Sequence, residues 1–214
     1  MDERGELLRA VWESPWDEAP KRTFADWLEQ RGEPEAASRL RRCLDLWCFL
    51  DDLPESDEAI DPAEVRDACE RLDGLPEQDS FFRIVAVKCC LRPWVWDRMD
   101  APRRRGIEIA WLHACGLATD EELDQAREHA RVAHVADLET TPEGFHTSAP
   151  ESVAAFGVTA PSGEEALGHA MTSSMTAIER TDPSTPNREW GYLAALVARV
   201  VEFNSAPSTS PGER

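Results

Sequence analysis

Apolar residues recur along this chain with the period of an α-helix, and this pattern constrains the fold more than any other feature. Convincing alternation of apolar and polar residues, which marks a half-buried strand, is absent. The clearest helical stripe follows Pro34, where apolar side chains recur at i, i+3, i+4, i+7 and i+8. Its members are Leu40, Cys43, Leu44, Trp47 and Cys48. The sequence therefore predicts an all-α protein, an irregular bundle or array of about nine helices.

Proline, glycine and capping residues divide this pattern into parts. Pro62 follows Asp61 at a predicted helix start, and Gly32 is placed to end the second helix. The segment Phe81–Leu91 is apolar nearly all round, so we expect it at the centre of a bundle. The predicted parts are an N-terminal module at 1–50, a central bundle at 60–139, a loop or linker at 140–162, a C-terminal helical pair at 163–205 that docks on the bundle, and a disordered tail at 206–214.

The loop prediction for residues 140–162 rests on their composition. Pro, Ser, Thr and Gly are frequent there, and these residues favour turns and irregular backbone. We expect one short helical turn within it, near residues 152–156.

The chain carries a net charge of −19, from 42 acidic and 23 basic residues. A field of that sign repels phosphate backbones and anionic lipid, so it argues against direct binding of nucleic acid or membrane. Arginine clusters occur only at residues 39–42 and 103–105. We interpret both as a solvated helix face or a first helical turn. The expected partner is a protein with a basic or mixed-charge surface.

The sequence also predicts the compartment. No segment approaches the roughly 18–20 apolar residues that span a bilayer, and the N-terminus lacks the cationic start and apolar run of a secretory signal. The cysteines lie in apolar helical patterns, which is typical of reduced, buried thiols rather than a disulfide framework. They are at positions 43, 48, 69, 89, 90 and 115. We expect a soluble, cytoplasmic protein.

Sequence signatures of catalysis are missing. The phosphate-binding patterns G-x-x-x-x-G-K-[ST] and G-x-G-x-x-G are absent, as are the nucleophile elbow G-x-S-x-G and the zinc motif H-E-x-x-H. With 42 acidic residues, no carboxylate pair stands out as an acid and base. We therefore predict no catalytic residue and no cofactor.

Metal binding is the least implausible chemistry. Two helices could bring together Cys89, Cys90, His113 and Cys115. However, His113 and Cys115 are two residues apart, so they point toward different faces of a helix. A spacing of five residues is equally poor for placing two ligands on one helix face. This spacing separates Cys43 from Cys48 and His129 from His134. We predict no metal site, with the thiols packed in the core. A catalytic dyad of Cys115 with His113 or His129 remains an alternative, because the fold and not the sequence spacing decides whether two such side chains meet.

Residues 17–21 read D-E-A-P-K, and residues 24–33 read F-A-D-W-L-E-Q-R-G-E. With the preceding acidic helix, this part of the chain resembles the repeat-companion domain of planctomycete and myxobacterial proteins. The family has a D-D-x-P-R turn followed by Y-A-D-W-L-E-E-R-G-D. It usually continues with E-F-I-R-L, where this chain has A-S-R-L-R at 37–41. The resemblance covers residues 1–43 and implies a small helical module, usually attached to other domains, with no known activity.

A second stretch is similar to helical regions of large planctomycete paralogue families. Those regions pair R-L-F-A-x-x-C-C with a later G-L-A-T-D-E-E-L. Here residues 82–90 read F-R-I-V-A-V-K-C-C, and residues 116–123 read G-L-A-T-D-E-E-L. This resemblance implies a helical architecture and no particular activity.

Polar residues on and beside the Pro20 turn form the candidate interaction surface. Asp26 follows Arg22 by four residues, so the two can pair on the outer side of a helix, which contributes only about 0.3–0.5 kcal/mol. Alternatively, Asp26 binds a neighbouring helix end or forms part of a docking surface. The large side chains Leu8, Trp12, Phe24, Trp27 and Leu28 are expected to pack inward. The surface comprises Asp17, Glu18, Lys21, Arg22, Asp26 and Glu29.

Three functions remain open on the sequence alone. The leading hypothesis is a non-enzymatic helical interaction module, an adaptor, accessory or regulatory subunit of a larger bacterial assembly. The second is an enzyme with an unrecognised Asp/Glu/His or Cys/His site. The third is an acidic antagonist that masks the basic, nucleic-acid-binding surface of a partner.

Overall fold

A computed structural model of the chain describes residues 3–51, 78–140, 150–181 and 186–205. Every regular element in these ranges is a helix, so the all-α prediction is confirmed. The helices are α1 (Glu3–Glu13), α2 (Glu18–Gln30), α3 (Pro34–Asp51), α4 (Gln78–Cys90), α5 (Pro93–Trp96), α6 (Ala101–Ala114), α7 (Asp120–Thr140), α8 (Pro150–Val158), α9 (Gly163–Thr181) and α10 (Pro186–Ser205). The predicted helix at 61–72, Cys69 and the predicted tail at 206–214 lie outside these ranges.

Local capping chemistry explains several helix ends. A capping box starts α7: Thr119 Oγ1 accepts from the Glu122 backbone N–H at 3.2 Å, and Glu122 Oε2 accepts from the Thr119 N–H at 2.8 Å. Gly32 ends α2 and Gly116 ends α6, with φ angles of +82° and +73°. Only glycine adopts this left-handed conformation readily, so a short turn can follow each helix.

Helix α4 lies at the centre of the described structure. Every residue from Ser80 to Cys90 is buried, as the apolar pattern predicts. It contacts α6, α8 and α9 most closely, and it also contacts α3 and α10. A helix with no polar stripe must be covered on all sides. The polar exceptions, Arg83 and Lys88, are therefore buried with it.

The prediction of a loop at 140–162 is wrong for residues in its C-terminal half. Residues 150–158 form α8, which is longer than the expected turn near 152–156. Ala154, Ala155 and Val158 are fully buried, because small side chains let α8 approach its neighbours closely. Packing in the core overrides the turn preference that the composition suggests. Residues 141–149 lie outside the described ranges.

Arg83 binds the end of α8. Its Nη1 donates to the carbonyls of Val158 and Ala160, each at 2.9 Å, and its Nη2 donates to that of Pro161 at 3.2 Å. These carbonyls follow the last turn of a helix, where partners within the helix are lacking and the dipole favours a cation. Asp79, one turn earlier on α4, accepts from the Gly163 N–H at the start of α9. Helix α4 thus fixes the turn between α8 and α9.

Tryptophans join α1–α3 to the rest of the chain. The Trp47 ring of α3 lies 4.3 Å from the Trp111 ring of α6, centroid to centroid, and stacks on Trp16 at 5.9 Å. Trp16 and Trp96 form a T-shaped pair whose ring centroids are 5.7 Å apart. Such rings bury large apolar areas and add contacts of about 0.5–1.5 kcal/mol per pair. The N-terminal helices therefore share a core with the central bundle.

Helix α10 closes the structure by packing against α3, α4 and α9. Its inward stripe of Leu193, Leu196, Val197 and Val200 is fully buried, in agreement with the predicted docking of the last helix. No helix in the described ranges has both the length and the apolarity needed to cross a membrane.

Candidate protein-interaction surface

The exposed seam between α2 and α3 carries a row of ion pairs. Near the start of α2, Arg22 pairs with Glu18 at 3.2 Å and reaches Asp45 of α3 at 3.4 Å. Glu18 Oε1 also accepts from the Cys48 thiol at 2.8 Å. These four side chains connect the two helices on their outer side.

A second group lies further along α2. Arg41 Nη2 of α3 donates to Asp26 Oδ1 at 2.7 Å and to Glu29 Oε2 at 2.6 Å. Hydrogen bonds to Asp26 and then to Glu29 raise the pKa of Arg41 above its usual value. Both carboxylates stay more than half exposed, at 63% and 57% of their side-chain area. Arg41 therefore holds the two acids in place while they face solvent.

We call these residues the α2–α3 polar face: Glu18, Arg22, Asp26 and Glu29 of α2, with Arg41, Asp45 and Cys48 of α3. It holds four carboxylates against two guanidinium groups, so the face keeps an excess of two negative charges after pairing. The Cys48 hydrogen bond and then Arg22 lower the pKa of Glu18, which keeps that carboxylate ionised. The face is thus acidic at neutral pH.

Two of the sequence predictions for this surface are wrong. Lys21 is 1% exposed, and its Nζ donates to the carbonyls of Pro15 at 2.5 Å and Asp17 at 2.8 Å. The turn before α2 presents carbonyls inward, and the lysine satisfies them. Arg22 pairs with Glu18 and Asp45 rather than with Asp26, because packing brings Arg41 of α3 to Asp26.

Asp17 has a structural role at the edge of the face. Its side chain accepts from the Ala19 backbone N–H at 3.0 Å and caps α2. An oxygen at this position satisfies a backbone donor that the helix cannot. Asp17 therefore starts the helix that carries the other candidate residues.

The predicted inward face of the module is only partly buried. Phe24 and Leu28 are buried, whereas Leu8, Trp12 and Trp27 are half-buried. The Trp27 ring stacks on Phe24 at 5.7 Å, and the guanidinium groups of Arg4 and Arg31 lie over it. Trp27 is thus covered by charged side chains and is not enclosed in the core.

Sequence reasoning missed the contribution of α3. Arg41, Asp45 and Cys48 follow one another at spacings of four and three, which places them on one helix face. The sequence pattern predicts a solvated face for the arginines at 39–42, whereas Arg41 forms ion pairs with two residues of the neighbouring helix. This spacing is the signal in the sequence that identifies the polar face of α3.

Among the cysteines and histidines that could form other sites, Cys43 and Cys115 lie side by side in the core. The five described cysteines are free thiols. Burial and then Glu18 raise the pKa of Cys48 to about 11, so this thiol stays protonated at neutral pH. His113 Nε2 lies 2.9 Å from Asp120 Oδ1 and lowers the pKa of that carboxyl. Within the described ranges, no three His, Cys, Asp or Glu side chains are grouped to hold a metal ion.

No protein-family model, curated protein or solved structure matches the chain. The resemblances to the repeat-companion domain and to the planctomycete helical regions therefore stay predictions from sequence.

Proposed function

We propose that the chain is a helical protein-interaction module whose α2–α3 polar face binds a basic segment of a partner protein. In this role it serves as an adaptor, accessory or regulatory subunit of a larger assembly. The partner contributes lysine or arginine side chains, and its binding is sensitive to salt.

One observation carries this proposal, namely that paired arginines hold exposed carboxylates in fixed positions. Asp26 and Glu29 each use one oxygen for Arg41, and an ionised carboxylate has acceptor capacity for further donors. Holding these side chains in place reduces the entropy that a partner must remove on binding. Exposed charges of this kind increase association rate and specificity more than affinity.

The excess negative charge of the face favours a partner surface of positive charge. Four carboxylates against two guanidinium groups attract cations. The net charge of −19 on the whole chain strengthens this attraction. The interaction module is favoured over an enzyme because the groups on this face are engaged in structural pairs. The thiol of Cys48, for example, is held protonated by burial and by Glu18, whereas a nucleophilic cysteine needs to be a thiolate.

The test begins with native co-purification of the chain with the proteins encoded beside its gene. Affinity for a partner so identified is then measured by titration for the wild type and for the double reversal Asp26→Lys/Glu29→Lys. The reversal should weaken binding at least about tenfold at low salt and less at high salt, because screening weakens exposed charges.

A matched control distinguishes the effect of this face on binding from the effect of the total charge. Glu121 and Asp124 are exposed on α7, so Glu121→Lys/Asp124→Lys changes the total charge equally at another place. Circular dichroism checks that both variants keep their helices. Equal weakening by the two variants, or no weakening by the first, would contradict the proposal.

A further inference from the structure

A cavity of about 380 Å³ lies between the N-terminal helices and the turn that joins α6 to α7. Its apolar side is formed by Phe24 and Leu28 of α2, Leu40 of α3 and Leu117 of the turn. Small-molecule sites commonly have volumes of about 300–1,000 Å³ with apolar walls and few polar groups. The cavity is therefore suited to a small ligand with an apolar body. It is separate from the α2–α3 polar face, since Leu40 and Arg41 point to different sides of α3.

The cavity wall also contains a cation without a carboxylate partner among the described residues. Arg39 Nη2 donates to the neutral hydroxyl of Ser80 at 3.2 Å, and the guanidinium group lies against Gly116. Arg39 is exposed, so it retains donors that face the cavity and solvent. The other arginine of the cavity, Arg4, is already paired with Glu33 at 3.5 Å.

A second cation, the buried Lys21, lies behind the wall of the cavity and does not line it. The thiol of Cys115 belongs to the wall. Burial and then Cys43 raise its pKa, while Lys21 and Arg39 act in the opposite direction. The buried ammonium of Lys21 and the guanidinium of Arg39 thus both act at Cys115. Of the carboxylates of the cavity, Glu33 pairs with Arg4, and Glu35 lies one helical turn before Arg39 on α3 without forming an ion pair with it.

We propose that this cavity binds a small organic carboxylate with an apolar body. The carboxylate accepts from the guanidinium of Arg39, which is the geometry that arginine favours for carboxylates. The hydrocarbon part lies against Phe24, Leu28 and Leu40, where burial of apolar surface supplies the remaining affinity. This site is independent of the proposed protein partner, so failure of one does not affect the other.

The experiment compares three ligands that share one hydrocarbon chain. Hexanoate, 1-hexanol and hexylamine are titrated into the full chain, and amide resonances are followed by NMR. Hexanoate should bind most tightly and should shift the resonances of Gly116 and Leu117. Tighter binding of hexylamine would show that Glu33 and Glu35 dominate the cavity, and it would overturn the proposal.

Two variants and one control test whether the ligand binds in this cavity. Arg39→Gln should weaken hexanoate binding about tenfold or more and leave hexanol binding unchanged. Arg98→Gln, at an exposed position outside the cavity lining, removes the same charge and should change neither. Ala36→Trp places a bulky ring at an exposed lining position and should block all binding. If hexanoate fails to bind the wild type, or binds Arg39→Gln equally well, the site is not a carboxylate site.

Discussion

The ammonium group of Lys88 lies 3.6 Å from the centroid of the Trp47 ring, in the interior of the protein. The lysine is 5% exposed, and its Nζ also pairs with the Asp51 carboxylate at the end of α3. A desolvated cation over an indole face is attracted by about 2 kcal/mol. This contact connects α4 to α3.

Stability should depend on pH through Lys88. Burial lowers the pKa of Lys88 below its ordinary value of 10.5, although Asp51 acts in the opposite direction. The unfolded chain then holds this proton more tightly than the folded chain does, so the contribution of Lys88 to the free energy of unfolding increases with pH. The increase extends from the lowered folded pKa up to 10.5.

The check is urea unfolding of the wild type and of Lys88→Met, a variant of similar length without the charge. The free energy of the wild type relative to the variant should rise between neutral pH and the ordinary lysine pKa. A difference that stays constant over that range would show an unperturbed pKa for Lys88, and one that falls would show a raised pKa; either outcome contradicts the prediction.

Replacing Arg83 by methionine should lower the free energy of unfolding by about 3 kcal/mol. The substitution leaves the buried carbonyls of Val158 and Ala160 without their donor, and it also removes the donor to the partly exposed carbonyl of Pro161. Arg98→Met is the matched control, since Arg98 is exposed, and it should stay within about 0.5 kcal/mol of wild type. Similar losses for the two variants in denaturant unfolding would mean that Arg83 does not hold the turn.

Two glycines of α9 should respond oppositely to alanine. A Cβ at position 163 would overlap the backbone carbonyl oxygen of Asp79, whereas a Cβ at position 168 meets nothing within 4 Å. Gly163→Ala should therefore destabilise the protein. Gly168→Ala should stabilise it by roughly 0.5–1 kcal/mol, because alanine loses less backbone entropy in a helix. Thermal unfolding of both variants measures the contrast, and equal melting temperatures would refute the close contact between α4 and α9.

Removal of α10 should unfold or aggregate the protein. Four apolar side chains of this helix are fully buried: Leu193, Leu196, Val197 and Val200. Their burial contributes on the order of 6–12 kcal/mol, which is comparable with the total stability of a typical domain. A chain that ends at residue 185 is compared with one that ends at Ser205. An unchanged melting curve for the shorter chain would assign this helix to a partner instead.

Helices could be predicted from the sequence wherever periodicity and capping agree. The stripe from Leu40 to Trp47 and the capping box at Thr119 are both present in the structure. Helix α8 could not be predicted in full, because its stability depends on contacts with α6, α7 and α9 that no local pattern encodes. Residues 150–158 therefore resembled a loop.

The candidate surface could be predicted only within one helix. Spacing along α2 identifies Glu18, Arg22, Asp26 and Glu29, and the structure places all four on the α2–α3 polar face. The partner of each acid depends on how α3 packs, so the spacing along α2 does not predict the pairs with Arg41. Lys21 differs for another reason: the turn at Pro15 to Asp17 directs two carbonyls inward, and only the folded turn shows this.

The close approach of Trp47 to Trp111 gives the protein an optical signature of its own. Two indole rings whose centroids are 4.3 Å apart couple their electronic transitions, and this coupling falls steeply with separation. The resulting circular-dichroism couplet reports the distance between α3 and α6, whatever the helix content of the chain. Spectroscopy can therefore follow the separation of α3 from α6 independently of the loss of helix.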